Sequence, residues 1–486
     1  MFGNGLNEIV SAMLMVCRHE TKVVGRHGNI PNRKLWPWRN NFRCQKIFCQ
    51  VISDFYVMSA KKTAHGQGSK RPVSERFGEQ IPFAEPYWYQ GFHSPYYKAT
   101  HETFRDNLRA WLDTNVRDDM EDWIEDMKYP PSLHADFYKA GFNGAIFPEE
   151  FGGTPPKDFD AFHELILWYE MAQLGGGGVL GQLSINSMAL PPVINFGTQT
   201  MKDEVVRAVV TGQKNICLAI SEPGAGSDVA NIQTKAERSA DGKSWVINGT
   251  KKWITGGLMA NWFTMAVRTG GEGSKGLSLI LVPAHLPGIK IRKMPTHFDN
   301  SHNTTFIILE DVTVPIENLI GKEGQGFPYI MINFNHERFV ISAGALGMCR
   351  KTYELSMKEA LIRKTFGKRL VEHQVIRAKL GEMARLIEAL QDNVERCAYQ
   401  FAQGIPDRDM GGQCALLKVM ASKTFEFCAR EAAQIFGGSS LVREGKGMAV
   451  ERLYREVRGT AIPGGSEEIL LDLAIKQAVR FGLSHL

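Results

Sequence analysis

One glutamate on an otherwise apolar helix face is placed where it could do chemistry. In the segment 330–341, Ile330, Phe334 and Ile341 recur at helical spacing, and Glu337 falls on the same stripe. A carboxylate held there is partly desolvated, which raises its pKa and suits it to act as a general base. A carboxylate so placed can also be one half of a structural salt bridge with Arg338 or another cation, and the residues alone leave both readings open.

A second stretch, Leu218 to Thr255, reads as a ligand cradle. Ser221 precedes Glu222-Pro223, and Gly224-Ala225-Gly226-Ser227-Asp228 forms a tight polar turn. Glycines there let backbone approach a ligand and leave N–H groups free to hold an anion. Downstream, Trp245-Val246-Ile247 and Lys252-Trp253-Ile254 flank Asn248-Gly249, which predicts a two-residue hairpin presenting Trp253 and Thr255. Arg363 opens a basic run, Arg363-Lys364-Thr365-Phe366-Gly367-Lys368. Its planar fork suits a pyrophosphate, and the other reading is a solvated basic loop. Gly176, Gly178 and Gly181 satisfy GxGxxG by letter. That run follows a helix rather than a strand, and residue 201 is Met where a carboxylate is needed, so it is assigned to a helix–helix loop.

The elements that must position these groups follow from periodicity. Residues 58–95 are rich in Lys, Gly, Ser and Pro and read as a linker or flexible arm. A helix with Thr100 as N-cap carries Phe104, Leu108, Trp111, Leu112 and Val116 at helical spacing; others carry Leu133, Phe137 and Ala140, then Phe162 to Leu174. Residues 215–330 change period, with β-rich runs at Trp262–Val267, Leu277–Val282 and Thr305–Leu309, and predict an antiparallel β domain. Helices return over 329–362, 370–403, 410–436 and 467–482, four long segments that suggest a bundle.

Composition bounds the remainder. The 486 residues suffice for more than one compact unit, and 22% charged with 10% aromatic residues is ordinary for a soluble globular protein. The net charge of +5 is confined to residues 1–57, which hold eight Lys/Arg against three acids. The balanced remainder gives no case for nucleic-acid binding. No apolar run approaches a membrane span. The eight cysteines form no CxxC pair and no metal spacing with histidine, so reduced buried thiols and no metal site are expected. The basic leader reads as a mitochondrial presequence or an upstream extension. Ser484-His485-Leu486 is a close variant of the Ser-Lys-Leu address, which favours the peroxisome over the mitochondrial matrix.

From about residue 96 onward the chain resembles the acyl-CoA dehydrogenase family, on EPGAGSD, the Trp253-Ile254-Thr255 strand and the turn Phe147-Pro148-Glu149-Glu150-Phe151-Gly152-Gly153. The resemblance implies an α+β fold: residues 96–214 a helical domain, 215–330 the β domain and 331–486 the bundle, after 1–95 as leader and arm. It implies FAD as cofactor and an acyl-CoA thioester as substrate, dehydrogenated to the 2-enoyl-CoA. Most relatives place the base in a segment like Ile462-Pro463-Gly464-Gly465-Ser466-Glu467-Glu468, at the position of Gly464 here. Isovaleryl-type and long-chain-specific relatives place it in a segment like Glu337-Arg338-Phe339-Val340, so the resemblance assigns the base to Glu337, with Glu467 a rival under a slipped alignment. The N–H of Gly464 and a ribityl hydroxyl of FAD are implied as the thioester's donors.

Carried over position by position, Leu218, Ile220, Ser221, Ser227, Trp253 and Thr255 line the flavin and its ribityl-phosphate. Leu218 departs from a tyrosine common in the family, and Ser221 from a threonine. Ser227, Asn335, Arg338, Gly464 and Gly465 face the substrate. Arg363, Thr365, Phe366, His373 and Gln374, with Gln434, Phe436, Gly437 and Gly438, reach the FAD of a neighbouring subunit. Ser466 and Glu468 touch its adenosine part. A homodimer or homotetramer is implied, with an electron-transfer flavoprotein as electron acceptor. Two alternatives stand beside this: an oxidase of the same substrates using O2, and a flavin-binding relative that is not a dehydrogenase.

Overall fold

The computed structural model describes residues 76–298 and 303–483, all within the unit Lys70–Leu486. The leader, most of the arm and the tripeptide Ser484-His485-Leu486 lie outside the described residues.

Described residues 76–95 are not a flexible arm. Ala84, Glu85, Trp88 and Tyr89 are buried, Trp88 stacks on Tyr97 at 4.0 Å, and Arg350 donates to the carbonyls of Phe83 and Glu85. The polar composition that suggested a linker belongs mainly to residues 58–75; the aromatic residues after them pack.

The first helices are α1 (Ala99–Asn115), α2 (Met120–Glu125), α3 (Leu133–Lys139), α4 (Ala161–Ala172), α5 (Gly177–Ala189) and α6 (Pro191–Phe196). Two short helices follow, α7 (Gln199–Met201) and α8 (Arg207–Val210), joined through a π-helical turn. Lys98, not Thr100, is the N-cap of α1, and the Nδ1 of His101 accepts its backbone N–H. Every residue of α4 from Phe162 to Ala172 is buried, as befits a helix apolar on most sides. It packs on the bundle, so the N-terminal helices and the bundle share one core running from Leu108 and Leu165 to Phe339, Ile387 and Phe425.

The β domain holds β1 (Ile216–Ala219), β2 (Lys235–Arg238), β3 (Ser244–Ile254), β4 (Trp262–Arg268), β5 (Leu277–Pro283), β6 (Ile289–Lys293), β7 (Thr305–Pro315) and β8 (Leu319–Ile320). The order is β6-β7-β3-β2-β4-β5-β8, and β1 pairs with β4 in parallel, an exception to the otherwise largely antiparallel pairing. The expected hairpin at Asn248-Gly249 is absent. β3 runs straight through, with a register shift against β7 between Ile247 and Gly249. Gly249 serves close approach instead: a Cβ there would stand 2.7 Å from the Thr234 Cα. The tight turn sits at Asp241-Gly242, between β2 and β3, with Gly242 at φ 70°.

The bundle holds α9 (Gly326–Ile362), α10 (Gln374–Ala402), α11 (Gly411–Phe436), α12 (Met448–Ala461) and α13 (Glu467–Leu483), with a two-stranded ribbon, β9 (Lys364–Thr365) and β10 (Lys368–Arg369), after α9. Helix α12 was not expected, although its buried Val450, Leu453, Val457 and Ala461 carry the helical period. Among the described residues no helix is long and apolar enough to cross a membrane.

Candidate active site

Glu337 lies twelve residues into α9 and is 7% exposed. Burial pushes its carboxyl up to about 8, against a smaller opposing pull from Arg338 and His336. Its Oε1 accepts from Asn333 Nδ2 at 2.7 Å; no described residue pairs with Oε2, and that oxygen is not sealed from solvent. Beside it, both ring nitrogens of His336 meet carboxylates, Nδ1 with Asp407 at 3.1 Å and Nε2 with Glu164 at 3.0 Å. Burial opposes the imidazolium, but these two acids hold its pKa well above the ordinary value. Glu337 is therefore flanked by two cations on its own helix.

The Gly464 loop comes to this site. Arg338 Nε donates to the Gly464 carbonyl at 2.9 Å, and a Cβ on Gly464 would lie 2.8 Å from Ile341 Cδ1. Gly464, at φ 69°, donates no backbone hydrogen bond among the described residues, so its N–H is free while its carbonyl is pinned. Lys418, fully buried, donates to the carbonyls of Ala461 and Gly465 and locks the same loop; burial lowers its pKa to about 8. Sequence reading missed this lysine, whose signal was a cation on the apolar face of α11. Asn335, expected to face substrate, is committed elsewhere: Nδ2 donates to the Asp407 carbonyl at 2.9 Å and Oδ1 accepts from Arg338 Nη1 at 2.7 Å. It braces Arg338. Of the rival carboxylates, Glu467 accepts from Ser422 at 2.7 Å and Glu468 is exposed.

Gly464→Ala is expected to cost about 1–2 kcal/mol from the left-handed backbone alone. The displaced loop should also slow substrate-driven reduction by up to about 10²-fold. Urea unfolding and stopped-flow absorbance check the two effects separately.

The β-domain rim is built on a buried ion pair that the sequence reading also missed. Glu222 accepts from Lys251 Nζ at 2.8 Å and from the N–H groups of Gln233 and Thr234 at 2.7 and 3.0 Å. Lys251 also donates to the Ile220 carbonyl at 3.0 Å. Burial works against the Glu222 carboxylate, but Lys251 and these donors hold it below the ordinary range. Burial also lowers Lys251 to about 8, so the pair is ionised at neutral pH. This pair fastens the loop after β1 to β3, where Lys252 N donates to the Ser221 carbonyl at 2.9 Å. Ser221, Trp253 and Thr255 thus come to one rim, with Leu218 and Ile220 beneath it. Trp253 sits at a β3 register shift with φ 67° and is 53% exposed, a bulged residue whose ring is turned outward. Gly224, Gly226, Ser227 and Asp228 donate no backbone hydrogen bond among the described residues, and a Cβ on Gly224 or Gly226 would meet nothing within 4 Å.

Glu337 and the rim are joined through α5. Asn333 Nδ2 donates to the Met188 carbonyl at 2.8 Å, and the next carbonyl, of Ala189, accepts from Thr264 Oγ1 at 2.7 Å. Thr264 on β4 pairs with Leu218 on β1.

The remaining predicted residues gather at the far end of α9. Arg363 Nη1 donates to the carbonyl of Phe436 at 2.9 Å, bringing the Arg363 segment to Gly437 and Gly438, the latter with open space at its Cα. Arg363 thus spends part of its fork on the chain itself. His373 contacts Thr365, and Phe366 is almost wholly exposed on the ribbon. Arg363 lies 26 residues from Glu337 along the helix, about 39 Å at 1.5 Å per residue. Within one chain the two sets of predicted cofactor residues are therefore separate. Ser466 and Glu468 stay with the Gly464 loop at the start of α13.

Family models for the acyl-CoA dehydrogenase N-terminal, middle and C-terminal domains match residues 98–213, 217–312 and 324–479. The chain belongs to the acyl-CoA dehydrogenase family. It is accordingly an oxidoreductase, and the expected succession of helical, β and helical domains is the one found. It is 38% identical over 419 residues to the acyl-CoA dehydrogenase apdG of Emericella nidulans, covering 82% of this chain and 95% of that one. Butyryl-CoA dehydrogenase from Megasphaera elsdenii superimposes with a TM-score of 0.74 at 26% identity, over 80% of this chain and 100% of that chain. An acyl-CoA dehydrogenase complexed with FAD from Bacillus anthracis shares the fold, with a TM-score of 0.75 at 24% identity over 81% of this chain and 69% of that chain.

Among the described residues of this dehydrogenase, His101, Asp160 and His163 could hold a metal by composition. Each histidine accepts a backbone N–H at Nδ1, from Lys98 and Asp160, which leaves the proton on Nε2. The cluster therefore caps the starts of α1 and α4.

Proposed function

We propose that this dehydrogenase oxidises an acyl-CoA thioester to the 2-enoyl-CoA with Glu337 as its base and FAD as its cofactor. The observation that carries the reading is the Glu337 carboxyl, buried, raised to about 8, and held by one oxygen only. The residues fit FAD: free N–H groups and open glycines in the 224–228 loop, an outward-turned Trp253, and the Arg363–Gly437 cradle. Leu218, Ile220, Ser221, Ser227, Trp253 and Thr255 would hold the flavin and its ribityl-phosphate. When bound, FAD supplies the acceptor for the β-hydride.

The chain does the rest. Glu337 takes the α-proton through its free oxygen. The Gly464 N–H stands ready for the thioester oxygen as negative charge grows on it, its peptide fixed by Arg338 and Lys418. Among the described residues no carboxylate is hydrogen-bonded to Arg338, which places a buried positive charge beside that developing enolate. Anaerobic bleaching of the flavin by a panel of acyl-CoA thioesters tests the reading and reports acyl length and branching; no bleaching by any thioester overturns it. The pathway served, ordinary β-oxidation or tailoring of a specialised acyl chain, follows from which thioester works best.

The separation of about 39 Å expected from the helical rise supports a homodimer or a dimer of dimers in which Arg363, Thr365, Phe366, His373, Gln374, Gln434, Phe436, Gly437 and Gly438 complete a neighbour's cofactor site. Exposed Ile362, Phe366, Leu441 and Val442 at that end agree with a covered surface. An electron-transfer flavoprotein is the proposed electron acceptor; stoichiometric H2O2 from acyl-CoA in air would make the enzyme an oxidase instead. Import into the peroxisome through Ser484-His485-Leu486, rather than the mitochondrial matrix, belongs to the same proposal, and loss of punctate fluorescence on deleting the tripeptide tests it.

The pH dependence follows from Glu337. The base must be ionised, so the rate of flavin reduction should rise with pH on a limb near 8. Stability should move the other way. The folded-state value stands above the usual 4.5, so the contribution of Glu337 is complete below that value and is lost as pH rises through about 8. Urea titrations across this window, compared with Glu337→Gln, isolate the effect.

A further inference from the structure

A glutamate side chain on a helix turns among its rotamers unless a neighbour holds it. We infer that Asn333 is a positioning residue for the base: its amide anchors one carboxylate oxygen of Glu337 to the end of α5 and leaves the other to take the α-proton. The inference rests on the proposed role of Glu337.

Asn333 is 8% exposed, one turn before Glu337 on α9. Its Nδ2 is 2.7 Å from Glu337 Oε1 and 2.8 Å from the Met188 carbonyl. Both neighbours are acceptors, so the amide must present its NH2 to them; the flipped orientation would set three oxygens against one another. Each amide proton then has one acceptor. Met188 is the penultimate residue of α5, and its carbonyl is one of those a helix end leaves without an intrahelical partner. That end is fixed in turn to β4 through Ala189 and Thr264. Asn333 thus sets the carboxylate relative to the rim that carries Leu218, which neither α9 nor the β domain could do alone.

The bond has a chemical consequence too. A donor to an ionised carboxylate stabilises that form and restrains the rise that burial imposes. The other charges acting on Glu337 are His336, clamped by Glu164 and Asp407, and Arg338, held by Asn335 and Gly464. None of these is hydrogen-bonded to the carboxylate, and α5 contributes only a neutral carbonyl.

The test compares Asn333→Leu, which keeps the volume and removes the donor, with Asn333→Asp, which keeps the shape. In each FAD-loaded protein, substrate-driven flavin reduction is followed across pH, and the protonated-carboxyl infrared band that disappears in Glu337→Gln is titrated without substrate. The Leu variant should move both the kinetic limb and the infrared titration upward by about one pH unit, with FAD content and KM little changed. At a fixed pH on the limb this is about a tenfold loss of rate. Asp, placing a second carboxyl on the first, should move them further. Slower reduction with limb and band unmoved, or loss of FAD alone, would overturn the positioning role. Should Leu not fold, the Asp variant decides by the same two readouts. If Glu337→Gln itself bleaches normally, the assignment of the base has failed; if only the Asn333 variants titrate as wild type, this inference alone has failed.

Discussion

Glu337→Gln retains FAD and loses anaerobic bleaching by acyl-CoA, with a fall in the reduction rate of about 10²–10⁴-fold. The substitution keeps the shape of the side chain and leaves an oxygen to accept from Asn333, so the site should stay assembled. What is lost is the carboxylate proposed to take the proton; of the other acids near the Gly464 loop, Glu467 is tied to Ser422 and Glu468 faces solvent. Because an amide is already neutral, the variant should also escape the stability decline that wild type suffers between the usual carboxyl value and about 8. Bleaching at the wild-type rate would sink the assignment.

Lys251→Met destabilises the protein by about 3–5 kcal/mol and empties it of cofactor. Removing one partner leaves Glu222 buried with an uncompensated charge, held only by two backbone N–H groups. That is a large share of the roughly 5–15 kcal/mol that stabilises a typical domain. The loop 221–228 loses its tie to β3 in the same stroke, so FAD retention should fall before global unfolding is reached. The double variant Glu222→Gln/Lys251→Met should recover much of the loss, since no charge then remains buried. Denaturation midpoints and flavin absorbance of the purified proteins decide it; a single variant as stable and as yellow as wild type would show that the pair is ornamental.

Sequence and structure agree where one residue type admits one physical role. The stripe 330–341 needed only helical spacing to put Glu337 on a buried face, and Gly464 at φ 69° stands where a side chain would be strained. Agreement failed where a local signal was overruled by distant partners. Asn248-Gly249 has hairpin chemistry, yet β7 pairs across it and Thr234 crowds it, so the strand continues. Asn335 looked free to meet substrate until Asp407, 72 residues away, claimed its amide. Lys418 shows as a cation on the apolar face of α11, but what it and Lys251 bond to, the carbonyls of Ala461 and Gly465 and the Glu222 carboxylate, is set by the fold and not by spacing. The reading of 58–95 as an arm fails over 76–95 because the fastening, Arg350, lies on a distant helix.

The packing of Ile341 against Gly464 bears on how such an enzyme can change over generations. A mutation that put an acid at 464 would meet a methyl group 2.8 Å from its first carbon and a left-handed peptide at once. The left-handed backbone costs any side chain there about 1–2 kcal/mol, and the Ile341 methyl must turn aside to admit it. Position 464 is thus a costlier place for an acid than position 337, where the helix already holds one.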